Sequence, residues 1–226
     1  MLYFIPTPIG NLKDITLRAL EVLKSVDLIL CENPRHSQKL LQAHEIKKQT
    51  KQFNQFSSDK LVFDILAQVK AGKEVAYISD AGMPGISDPG TTLVAQAIEK
   101  QIPFTVLPGS NASLPAVVAS GFLVKEFYFA GFLPLKKGRQ KKLTELLQLP
   151  VPVVLYESPY RLNKLLSELV TLRAGDRPVY IGRELSKLHE EHIYGTAQAL
   201  AKKYADKQWK GELVIVLRAP QNPSPS

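Results

Sequence analysis

Between residues 79 and 90 the chain runs Ser-Asp-Ala-Gly-Met-Pro-Gly-Ile-Ser-Asp-Pro-Gly. Glycines and prolines at this density impose unusual backbone angles and leave main-chain groups uncovered by side chains. Asp80 and Asp88 can each fix a polar or cationic group, so the stretch is expected to be a ligand cradle rather than an ornate turn. Glu32 and Arg35 frame a second polar stretch, Glu-Asn-Pro-Arg, directly after an apolar run. Basic residues gather in two places: Lys47, Lys48 and Lys51, and then Lys136, Lys137, Arg139, Lys141 and Lys142 after Gly131-Phe132-Leu133-Pro134. With a formal charge of +8, such clusters attract polyanions without specifying any sequence.

Other chemistries are disfavoured by composition. The single cysteine, Cys31, allows no internal disulfide or Cys-based metal site and fits a reducing compartment. His36, His44, His189 and His192 show no metal-ligand spacing, so no metal is expected. No apolar run approaches the roughly 20 residues that cross a bilayer, and the start, Met-Leu-Tyr-Phe-Ile, has no basic leader. A cytoplasmic protein with no membrane partner is expected.

These residues need elements to position them. Apolar runs at 2–5, 26–31, 75–78 and 103–107 predict strands, each followed by a Gly/Pro-rich or polar turn. Helical spacing predicts helices ending near Lys24 (with Asp14 and Thr16 as capping residues) and over 35–43, 60–71, 91–100 and 112–120. Alternating strands and helices of this kind pack as a parallel sheet, whose post-strand turns share one edge. Gly10, Glu32, Asp80 and Gly109 should therefore gather around one crevice. No Gly-x-Gly-x-x-Gly follows the first strand, which argues against an ordinary dinucleotide fold. From residue 121 onward, strands at 127–131, 152–156, 178–182, 189–194 and 212–217 and helices at 139–148, 160–171 and 196–204 predict a second domain with a mixed sheet. The expected division is 1–120, 121–219 and a disordered Pro/Ser tail, 220–226. Tyr3, Phe4, Phe127, Tyr128 and Phe129 are expected in strand cores, and Trp209 is expected to pack rather than stack on a base.

Several turns resemble the tetrapyrrole methylase superfamily, the class III S-adenosylmethionine-dependent methyltransferases. They are Thr7-Pro-Ile-Gly-Asn11, Ser79-Asp-Ala-Gly82 with Ser87-Asp-Pro-Gly90, Leu107-Pro-Gly109, Gly131-Phe-Leu-Pro134, Tyr156-Glu-Ser-Pro159 with Arg161, Arg183-Glu-Leu-Ser-Lys187 with Glu190, and Gly211-Glu-Leu-Val214. In this order they are similar to the branch that 2′-O-methylates a cytidine of small-subunit (16S) ribosomal RNA. The resemblance implies an α/β protein of two α/β domains with the cofactor, S-adenosyl-L-methionine, in the cleft between them, and a homodimer. It places the cofactor against Pro8, Gly10, Asn11, Ser79, Asp80, Ala81, Gly82, Pro108, Gly109, Tyr156, Glu157, Ser158, Gly211, Glu212 and Leu213. Glu32-Asn33-Pro34-Arg35 stands where most of the branch has Glu-Asp-Thr-Arg. Met83, Gly85 and Ser110-Asn111 also depart from its pattern, all around the expected reaction site.

Methyl transfer to a ribose hydroxyl needs in-line positioning and gains from a general base. Glu32 is the first candidate base and Glu184, with Lys187, the second; a structural Glu32–Arg35 pair is the plain alternative. Arg35 and Arg161 suit phosphate, and Lys136, Lys137, Arg139, Lys141 and Lys142 would track RNA, either free ribosomal RNA or the small subunit. Two other readings stay open: a small-molecule, tetrapyrrole-like methylase, and a non-catalytic cofactor-binding protein that docks on the ribosome.

Overall fold

The computed structural model describes residues 1–86 and 90–220. Asp88 and the tail expected to be disordered, apart from Pro220, lie outside the described residues. The chain divides into two compact units, Met1–Asn111 and Ala112–Ser226.

The first unit is a five-stranded sheet in the order β3-β2-β4-β1-β5. Its strands are β1 (Leu2–Ile5), β2 (Leu28–Cys31), β3 (Thr50–Gln52), β4 (Val75–Ile78) and β5 (Phe104–Val106). All its pairings are parallel. Alternate residues serve opposite faces: Leu2, Phe4, Leu30 and Tyr77 join one core, Ile5, Ile29, Cys31 and Ile78 the other. Burial on both faces explains why β2 and β4 are continuously apolar. Helices α3 (Asp59–Lys70) and α4 (Gly90–Glu99) cover the first face. Helices α1 (Leu17–Ser25) and α2 (Pro34–Ala43) cover the second. Thr16 caps α1 by accepting the Ala19 N–H at 3.1 Å, whereas Asp14 closes a short 3₁₀ turn (Leu12–Asp14).

The second unit holds β6 (Tyr128–Phe132), β7 (Val153–Glu157), β8 (Pro178–Arg183), β9 (Glu191–Thr196) and β10 (Leu213–Leu217) in the order β6-β7-β10-β8-β9. Only β6 and β7 run parallel, so the sheet is mixed, as expected. Helices α6 (Arg139–Leu147), α7 (Leu162–Thr171) and α8 (Ala197–Lys203) share one core with it. Helix α5 (Ser113–Ser120), which the sequence reading assigns to the first domain, packs on β8 and β10 of this second unit. Trp209 is buried, with its Nε1–H donated to Asn163 Oδ1 at 2.7 Å and its ring edge-on to Tyr204.

Among the described residues no helix is long and apolar enough to cross a membrane. Nor do any three His, Cys, Asp or Glu side chains cluster to hold a metal ion.

Candidate functional site

In the first unit, the turns after β1, β4 and β5 are fused at the carboxyl edge of the sheet. Thr7 and Gly82 exchange backbone hydrogen bonds of 3.0 and 2.9 Å. The Thr7 hydroxyl donates to Ser79 O at 3.1 Å, and the Ser79 hydroxyl donates to Gly82 O at 2.8 Å. Gly82 adopts φ +83°, a left-handed conformation that side-chain-bearing residues seldom take. A Cβ on Gly109 would lie 2.9 Å from Pro6 Cβ, so the third turn closes on the first only because that position is glycine. Ser110 donates to Asp14 O at 3.0 Å, and Asn11 accepts the Lys13 N–H at 3.1 Å. Gly10, Asn11, Ala81 and Pro108 are exposed along this crest, Pro8 and Gly109 partly so. Of Gly10, Glu32, Asp80 and Gly109, expected around one crevice, the turns that carry Gly10, Asp80 and Gly109 are joined here, whereas Glu32 and Asp80 line the depression described next.

Beside the crest lies an open depression of about 590 Å³ lined by Glu32, Asn33, Pro34, Arg35, Gln52 and Asp80. Asp80 Oδ1 accepts the Asn33 N–H at 3.2 Å, tying the end of β4 to the end of β2. Asn33 Oδ1 in turn accepts the Arg35 N–H at 3.1 Å and caps α2, with Pro34 in its first turn. The Asn-Pro pair is thus a well-formed helix start, since proline there forfeits only a donor that has no helical partner. Among the described residues no ion pair joins Glu32 to Arg35, whose side chain is exposed. Gln52, whose Nε2 donates to Glu32 O at 3.0 Å, is a lining residue that the sequence did not reveal. It ends a three-residue polar edge strand with no apolar run to announce it. Cys31, just below, is fully buried, and burial pushes its thiol pKa up, so it is a packing residue.

The expected site residues of the second unit are occupied with one another. Glu157 is buried and accepts Arg139 Nη2 at 2.8 Å, Arg161 Nε at 2.7 Å and the Ser158 N–H at 2.8 Å. Arg139 also donates Nε to Glu168 at 2.9 Å and is only 2% exposed. Its expected place on an RNA-tracking face is therefore corrected: it is a buried ion-pair residue. Arg161 is held by the same carboxylate. Lys136, Lys137 and Lys141 are exposed. Lys142 is half-buried, its Nζ 5.5 Å from the Tyr128 ring centre. Tyr128 itself is exposed at the sheet edge rather than in the strand core, because β6 is the outermost strand.

Tyr156 is half-buried on β7 against Phe129 and Phe132. Burial raises its hydroxyl pKa against the hydrogen bonding of Ser113. At the ends of β8 and β10, Glu184 accepts the Glu212 N–H at 2.8 Å and Lys187 Nζ at 2.9 Å, and Lys187 also reaches Glu212 at 3.1 Å. Gly211, at φ +89°, packs so tightly on this carboxylate that a Cβ would sit 2.5 Å from Glu184 Cδ. Burial pushes the Glu184 pKa up, but the Glu212 N–H and Lys187 outweigh it and hold the carboxyl below its ordinary range. Lys187 is likewise desolvated, yet its two carboxylate partners raise its pKa. A carboxylate so stabilised is a weak base, and its geometry is that of a clip between strand ends. Leu213 is buried at the start of β10.

Comparison with known proteins gives the family and the fold. The family model for Tetrapyrrole (Corrin/Porphyrin) Methylases matches residues 1–201. A Thermotoga maritima protein named Ribosomal RNA small subunit methyltransferase I is 43% identical over 216 residues, 96% of this chain and 97% of its own. The Bacillus subtilis protein of the same name is 38% identical over 223 residues, covering 98% of this chain and 76% of its own. Among solved structures, a cobalt precorrin-4 methyltransferase aligns with TM-score 0.69 at 19% identity over 96% of this chain and 94% of that one. A diphthine synthase aligns with TM-score 0.75 at 14% identity over 96% and 89%. At such identities the structural likeness speaks for the fold.

Proposed function

The chain belongs to the tetrapyrrole methylase family, and from that premise we propose that it is an S-adenosyl-L-methionine-dependent methyltransferase acting on the 2′-hydroxyl of a cytidine in small-subunit ribosomal RNA, in the cytoplasm. The observation that carries the reading is the depression where Glu32, Arg35 and Asp80 meet at the strand ends. Similarity along nearly the whole of this chain to proteins named for ribosomal RNA methylation supports that acceptor class.

The residues present suit the cofactor. The crest formed by residues 8–11, 79–82 and 108–109 exposes Gly10, Asn11, Ala81 and Pro108 and is tied together by the Thr7–Gly82 pairing. Asp80 adds a partly exposed carboxylate that can accept hydroxyl donors or face a positive sulfur. When bound, the cofactor supplies a methyl group already activated on a sulfonium. The chain then has to position the acceptor and remove a proton. Glu32, at the depression, is the residue we assign to take the 2′-hydroxyl proton. Arg35, exposed on the rim, holds a neighbouring phosphate through its planar fork of donors. Lys136, Lys137 and Lys141, exposed on the second unit, are assigned to the RNA backbone. A homodimer, which the family resemblance implies, belongs to the same proposal.

Tritium transfer from labelled cofactor tests the proposal. Small-subunit RNA or assembled small subunits should be labelled, with the label on a cytidine ribose. Label on uroporphyrinogen instead would move the activity to small molecules, and label on no acceptor would indicate a binding protein.

A further inference from the structure

We propose that Gln52 is a specificity-determining residue: its side-chain oxygen reads the exocyclic amine of the acceptor base, selecting an amino-bearing pyrimidine over a keto one. The inference rests on the RNA-methylating reading given above. Gln52 ends β3, where it is registered opposite Cys31 of β2. Its Nε2 donates to the backbone carbonyl of Glu32 at 3.0 Å. A carbonyl can only accept, so the nitrogen of the amide must face it, and the amide oxygen is left on the other branch of the planar group as an acceptor. The side chain is thereby oriented by the residue assigned to take the acceptor's proton.

The rest of the depression has matching polarity. Glu32 and Asp80 contribute carboxylates, which only accept, and Asp80 Oδ1 is engaged by the Asn33 N–H. The cationic lining residue, Arg35, sits at the first turn of α2, where its N–H is fixed by the Asn33 cap. The lining of the depression thus combines several acceptors with one guanidinium. Cytosine presents an amine at the position where uracil presents a carbonyl. An acceptor wall pairs with the amine, whereas the carbonyl would set two acceptors against each other and leave both unpaired. Phosphate on the guanidinium and amine on the amide would orient one nucleotide with its ribose toward Glu32.

The test uses the full chain with in vitro transcripts of small-subunit ribosomal RNA, in which the methylated nucleotide is first mapped by mass spectrometry and then changed. For the wild type, kcat/KM should favour the transcript with C over that with U at this position. Gln52→Ala and Gln52→Met should shrink that ratio by roughly tenfold, the scale of one lost base contact. Gln52→Lys, which presents donors only, should shift preference toward U. Gln52 is on an exposed edge strand, so these variants should keep the wild-type circular dichroism spectrum.

A merely structural role would lower both rates together and leave the C/U ratio intact, which would overturn the assignment. The cofactor's adenine also carries an exocyclic amine. A tenfold weaker cofactor affinity by calorimetry, with an unchanged C/U ratio, would assign Gln52 to that ring and overturn the proposal. A mapped uridine would overturn it as well. Failure of the wild type to label any RNA would remove the underlying reading and this inference together, whereas an unaltered ratio in active variants would remove this inference alone.

Discussion

The carboxyl edge of the parallel sheet and the strand ends of the mixed sheet both carry charged side chains, yet they differ in what those side chains bond to. In the first unit the polar side chains at strand ends bond mostly to main chain: Asp80 to the Asn33 N–H, Asn33 to the Arg35 N–H, Gln52 to the Glu32 carbonyl. Such bonds shape the loops, and among the described residues no hydrogen bond or ion pair engages the Arg35 guanidinium or the Gln52 amide oxygen. In the second unit the charged side chains bond to each other: Glu157 to Arg139 and Arg161, Lys187 to Glu184 and Glu212. Those pairs brace β7, β8 and β10, and breaking one at Glu157, whose side chain is fully buried, strands a charge in a poorly solvated place. Charge at a strand end is therefore not by itself the mark of a candidate site; charges locked to one another brace the fold instead.

Four changes would sharpen or break this contrast. The largest effect is expected for Glu32→Gln, which should lower kcat about 10²- to 10⁴-fold with cofactor affinity by calorimetry retained; full activity would place the base elsewhere. Next comes Arg139→Ala, which leaves Glu157 buried with one partner fewer and should cost about 3–5 kcal/mol of stability in denaturant melts. If stability held and RNA binding weakened instead, the second unit would carry ligand-facing charge after all. Replacing Lys136, Lys137 and Lys141 together by Gln should flatten the log–log salt dependence of RNA binding by about 2, at roughly 0.7 per single-strand phosphate. An unaltered slope would take that segment out of the interface.

The smallest effect concerns pH. The Glu184 carboxyl is held below its ordinary range, so its pairing stabilises the fold at neutral pH and that contribution fades as pH falls from the usual carboxylate range through the folded pKa. Lys187, raised, contributes below its ordinary range and loses its contribution as pH climbs through the folded pKa. Glu184→Gln should accordingly flatten the acid limb of a stability–pH curve and leave turnover at neutral pH near wild type. A collapse of turnover would restore Glu184 as a base.

The strands that were legible in the sequence are those buried on both faces, such as β2 and β4, because double burial demands an unbroken apolar run. The short edge strand β3 was not legible: Thr-Lys-Gln has no such run, and its pairing comes from β2. Gln52, the lining residue on that strand, was hidden for the same reason. Tyr128 was assigned to a core by its apolar neighbours, but only sheet order makes β6 an edge.

By itself the sequence determined the alternation of strands and helices, the glycine-dependent turns and the family motifs, since each depends on a short window of residues. Only the tertiary structure decided which charged groups are locked to one another. Arg139 meets Glu157 across 18 positions of sequence and Gln52 meets Glu32 across 20, and no local pattern encodes a partner that distant.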